Sequence, residues 1–74
     1  MDRVTVESIP IVVGLEEDGL WWADIESMPG VKAYGATRES AIAAVRALAL
    51  RAAADCIDHG EDVPGPFAQV FSVS

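Results

Sequence analysis

Cysteine, histidine and basic residues are scarce in this 74-residue chain, and each scarcity removes a class of function. The single cysteine, Cys56, excludes an internal disulfide. The single histidine, His59, has only Cys56, three residues before it, as a neighbouring soft ligand, and no second His or Cys completes a metal site. Five Lys and Arg stand against twelve Asp and Glu, a net charge of −7. Such a surface repels phosphates, so direct binding of DNA or RNA is not expected. No Gly-rich phosphate loop is present. No apolar run approaches the ~20 residues of a membrane-spanning helix. The longest, 9–15 and 41–54, are too short or carry arginines. The opening Met1-Asp2-Arg3-Val4 lacks the basic, apolar character of a signal peptide, and a free thiol suits a reducing compartment. A cytoplasmic protein without a cofactor is the expectation.

What is abundant is apolar surface. Hydrophobic residues make up 51% of the chain, more than one helix–sheet contact needs. A single domain this short is marginal as a monomer and has no disulfide or metal to brace it. The surplus points to a homodimer or to a partner surface.

The local signals alternate between strand and turn. Val4-Thr5-Val6 is short and β-prone, and 9–15 is a stronger strand with Pro10 at an edge, a bulge or its start. Asp18-Gly19 marks a turn. Residues 20–25 form the return strand of an antiparallel hairpin. Met28-Pro29-Gly30 breaks that strand, 31–34 is a third, and Gly35 ends it. Thr37 is suited to cap a helix running from Arg38 to about His59, with Glu39 in the first turn and Gly60 as terminator. The strict capping box asks for Glu or Gln at position 40, where this chain has Ser40. Spacing of roughly 100° per residue gathers Ala41, Ile42, Val45, Leu48, Ala49, Ala52 and Cys56 on one face, to cover the sheet. Leu50 falls on a flank where a polar residue would be usual. After the rigid Asp62-Val63-Pro64-Gly65-Pro66, residues 67–73 alternate as a last strand. The order β-β-β-α-β predicts an α+β two-layer fold, an antiparallel sheet with one long helix packed on one face.

Few residues invite chemistry. His59 reads as a helix-end residue favoured by the dipole, and Cys56 as a packing thiol without a base. Glu16, Glu17 and Asp18 form an acidic hairpin tip, and Asp24 and Glu26 are expected to share a strand face. Metal-dependent hydrolysis needs carboxylates converging from separate elements, which this arrangement does not offer. The carboxylates read as a solvated tip or as a contact for a basic partner. Adjacent Trp21 and Trp22 face opposite sides of a strand. Trp21 goes with the core, and Trp22 faces away as an interface residue or simple surface packing. Val12, Trp22 and Leu50 are the expected contributors to a dimer interface.

Several short motifs occur in a telling order. They are Ile9-Pro10-Ile11-Val12-Val13, Glu16-Glu17-Asp18-Gly19, Trp21-Trp22-Ala23, Met28-Pro29-Gly30, Gly35-Ala36-Thr37 with Glu39 and Ala41, and Val63-Pro64-Gly65-Pro66. Together, over residues 9–67, they resemble the N-terminal domain of HicB-type antitoxins. The resemblance implies a truncated RNase H-like fold in a single domain over 1–74. It also implies a non-enzymatic role: binding and neutralising a small, basic, HicA-like toxin that cleaves messenger RNA. The expected contacts are Glu16, Glu17, Asp18, Trp22, Asp24 and Glu26. Members of that family usually add a DNA-binding domain after this one. Its absence by Ser74 favours partner binding over repression. The alternative is an orphan homodimeric interaction module with no toxin partner. Ala36, Ser40 and Glu26 depart from the family's usual Asp, Glu and Pro, changes that touch local capping rather than fold.

Overall fold

The computed structural model describes residues 8–67. Three antiparallel strands, β1 (Val12–Leu15), β2 (Trp21–Asp24) and β3 (Lys32–Gly35), lie in the order β1-β2-β3. The helix α1 (Arg38–Asp58) packs against this sheet, and a 3-10 turn, Gly65–Phe67, follows. The α+β class and the β-β-β-α order agree with the sequence reading. The expected strand at Val4-Thr5-Val6 and most of the last strand, over 67–73, lie outside the described residues. Phe67 itself closes the 3-10 turn, with its ring buried in the core.

The strands are shorter than their apolar runs. Residues 9–11 precede β1, and Ile9 and Ile11 pack against the core from outside the ladder. Exposed Pro10, which has no N–H to donate, stands between them. The β1–β2 hairpin closes through a three-residue loop, Glu17-Asp18-Gly19. The Glu16 N–H donates to the Leu20 carbonyl at 2.8 Å and the Gly19 N–H to the Glu16 carbonyl at 3.0 Å. Gly19 takes φ +91°, the left-handed position that such a loop requires. Between β2 and β3 the chain folds back on Met28. Its N–H donates to Ile25 and its carbonyl accepts from Val31, each at 3.0 Å. Met28-Pro29-Gly30 thus breaks the strand as expected, yet the Met28 side chain is buried in the core.

The core joins Ala23, Ile25, Met28 and Val31 to Ala41, Val45, Ala49 and Ala53 of α1 and to Phe67. The buried helix positions follow an i, i+4 ridge. Each step of four advances about 40° around the axis, so the line of contact winds around the helix. Such ridges run obliquely to the axis. The winding brings Ala53 into the core, which the straight projection had left out. It leaves Ile42 and Cys56 half-buried at the margin, so Cys56 is not the buried thiol expected.

The helix start is tied more tightly than the sequence pattern promised. The Ser40 N–H donates to Thr37 Oγ1, and the Thr37 N–H donates to Ser40 Oγ, both at 3.0 Å. Ser40 therefore closes the capping box in place of Glu or Gln. A hydroxyl is short, but it reaches here because Ser40 Oγ also donates to the Thr37 carbonyl at 3.0 Å. Thr37→Ala is expected to cost ~1 kcal/mol, several degrees of melting temperature for so small a domain. Because the two hydroxyls serve one box, Thr37→Ala and Ser40→Ala together should cost less than the sum of the single losses. Thermal denaturation of the three variants measures this. Strict additivity would mean that the two hydroxyls act separately.

At the other end, the His59 N–H donates to the Asp55 carbonyl and the Gly60 N–H to the Ile57 carbonyl, each at 3.1 Å, with Gly60 at φ +71°. Asp58 ends the helix one residue before the expected boundary. No helix among the described residues is long and apolar enough to cross a membrane.

Candidate partner-binding surface

The helix covers one side of the sheet, and alternation sends the other side chains outward. The outward residues are Val12 and Gly14 of β1, Trp22 and Asp24 of β2, and Lys32 and Tyr34 of β3. The register sets them in two rows across the strands, Gly14–Trp22–Tyr34 and Val12–Asp24–Lys32. Val12 and Tyr34 are exposed, and Trp22 is half-buried. Trp21, on the opposite side, packs against the core as expected.

Gly14 lets Trp22 lie flat. A methyl carbon at position 14 would sit 2.8 Å from the indole Nε1 and collide with the ring. The indole therefore spreads across β1. The Lys32 ammonium bridges the two rows, 5.1 Å from the Trp22 ring centre and 5.6 Å from that of Tyr34. A cation over an exposed aromatic face is worth about 0.5–1 kcal/mol. It brings the two rings together under one cation.

The acidic tip adjoins this face. Glu16, Glu17, Asp18, Leu20 and Tyr34 line one shallow depression. Asp18 has a structural task, since one of its carboxylate oxygens accepts from the Leu20 N–H at 3.0 Å. This is the usual way an Asp holds its own turn. Glu16 and Glu17 are exposed without such a bond, and they are the carboxylates best placed to meet a partner.

The remaining expected residues separate. Asp24 lies on the open face opposite Val12 and Lys32. Glu26 does not share its strand face, because β2 ends at Asp24 and Glu26 sits in the following turn. That places it at the far end of β2 from the hairpin tip. The described residues contain no group of three His, Cys, Asp or Glu able to hold a metal ion. Val12 and Trp22 belong to the open sheet face. Leu50 lies on α1 well away from its sheet-facing line and is 61% exposed, so it stands on a different face of the protomer from Val12 and Trp22. His59 donates from Nδ1 to the Asp55 carbonyl at 2.8 Å and lies 3.4 Å from its carboxylate, a helix-end arrangement remote from the sheet.

Sequence reading set Gly14 beside Val12 but passed over Lys32 and Tyr34. Their signal was the period-2 alternation in each strand, which acquires meaning only when the hairpin register lines the strands up. Comparison of the chain with protein-family models, curated proteins and solved structures finds no match.

Proposed function

We propose that this protein is a non-enzymatic binding module. In the manner of the HicB-type antitoxins its motifs resemble, it neutralises a small, basic, mRNA-cleaving toxin in the cytoplasm. The observation that carries this reading is the one-sided sheet. Its uncovered face holds Trp22, Tyr34 and Val12 beside the carboxylates of Glu16, Glu17 and Asp24. Aromatic surface with a mainly acidic surround is the composition of a protein-binding hot spot with a steering rim. A cationic partner is indicated because a protein that works on RNA must tolerate phosphate charge. Lys32 is the one like charge on that face, and it is held over the two rings.

The test is binding kinetics with a small basic protein, should an adjacent reading frame encode one. Glu16→Lys with Glu17→Lys should slow association more than it speeds dissociation, because exposed rim charges steer encounter. Trp22→Ala should act mainly on dissociation, with a cost of about 2 kcal/mol or more if the indole is buried in the complex. Unchanged rates in both variants would move the contact to another surface. Absence of binding by the unaltered protein would favour the second reading, an orphan homodimer with no toxin partner. The exposed Leu50 and Ile57 support that reading.

A further inference from the structure

The outward side of α1 carries a second apolar line that the core does not use. Ala43, Ala47, Leu50, Ala54 and Ile57 recur at intervals of four, three, four and three residues, the spacing of a helix–helix seam. At roughly 100° per residue this line is centred about 160° from Val45. Leu50 is 61% and Ile57 55% exposed. An ordinary surface helix is polar on this side.

Charge along α1 is segregated. The stretch 38–51 holds Arg38, Arg46 and Arg51 against the single Glu39, whereas 55–62 holds Asp55, Asp58, Glu61 and Asp62 with no Lys or Arg. The last turn contains no basic residue. Carboxylates there oppose the helix dipole, an arrangement that a cation from outside would relieve.

We infer that this face binds the same face of a second copy, with the two helices antiparallel. Parallel pairing would set four carboxylates against four. Antiparallel pairing sets each acidic end against the arginines of the other helix and opposes the two dipoles. It also solves the packing. With the two-fold axis at the level of Ala52, Leu50 lies against the second copy's Ala54, and Ile57 against the second copy's Ala47. Each large residue meets a small one, in both directions. Arg51 and Asp58 share one flank of the seam. Because helical side chains lean toward their own N-terminus, Arg51 leans toward the second copy's Asp58 and that Asp58 leans toward Arg51. The sheet faces then point away from each other, so this contact is independent of the surface proposed above for a partner.

Sedimentation velocity of the full chain tests the inference. The unaltered protein should dimerise at micromolar concentration. Leu50→Glu should weaken the dimer by roughly a hundredfold or more, because both copies lose the leucine. Leu50 is exposed, so helical circular dichroism should be retained. Arg51→Asp and Asp58→Arg should each weaken the dimer, and the double exchange should restore it. Trp22→Ser, on the sheet, should leave it intact. A monomer at concentrations on the order of 1 mM would overturn the inference. So would a dimer that survives Leu50→Glu but is lost in Trp22→Ser, which would put the second copy on the sheet. Failure of the double exchange to restore association would overturn the antiparallel register.

Discussion

Gly35→Ala is expected to lower the melting temperature by ~10 °C or more, or to leave the chain unfolded at room temperature. Gly35 is the last residue of β3, and two residues later Thr37 caps α1. A methyl carbon there would lie 2.5 Å from the Ala41 backbone nitrogen and collide with Ser40 Oγ. Neither atom belongs to a flexible side-chain end. One is helix backbone, and the other is engaged in the capping box. The helix must move away from the sheet or the box must open. Forced overpacking of this kind costs about 1–3 kcal/mol, and loss of the box adds ~1 kcal/mol. Each kcal/mol is several degrees in a domain of this size. Gly65→Ala is the control, since nothing lies within 4 Å of a carbon added there. Equal melting curves for the two variants would mean that the strand–helix junction relaxes freely.

The second large effect is expected at Met28. Its side chain is 3% exposed among Ile25, Val31 and Phe67 in the core. Met28→Ala removes three heavy atoms from a site that its backbone bonds to Ile25 and Val31 hold in place, so the loop cannot simply collapse into the space. Such truncations cost about 2–5 kcal/mol. At ~0.05–0.15 kcal/mol per residue, the whole domain has roughly 4–11 kcal/mol to lose. Urea denaturation should show a midpoint reduced by a third or more, with Met28→Leu close to the unaltered protein because it conserves volume. A midpoint within error of the unaltered one would show that Met28 contributes little to stability.

Met28 also shows where sequence reading stops. The turn was legible because Pro and Gly carry their backbone preferences locally. The destination of the side chain before them was not, because burial depends on what folds over it. The same division recurs elsewhere. Thr37 was readable as a cap from its position before an alanine-rich run. Ser40 was not readable as its counterpart, because a hydroxyl completes the box only in one local geometry. The helix was legible to within a residue, but its buried line was not. A projection at fixed angle assumes a straight seam, whereas Ala41, Val45, Ala49 and Ala53 follow an oblique ridge. At the candidate surface, the acidic tip and the outward Trp22 were readable from turn chemistry and alternation. The association of Trp22 with Gly14, Lys32 and Tyr34 required the register of three strands. The separation of Leu50 from Val12 and Trp22 required the layering of helix on sheet.

Three of the four buried positions on α1 are alanine. An alanine ridge lets the helix backbone settle close to the sheet, so the layer of side chains between them is thin. The apolar area hidden from water is correspondingly small, and the rise in heat capacity on unfolding scales with that area. The stability of this domain therefore varies gently with temperature. Its stability curve is expected to be a broad dome, with cooling better tolerated than in a domain of equal size built on leucine.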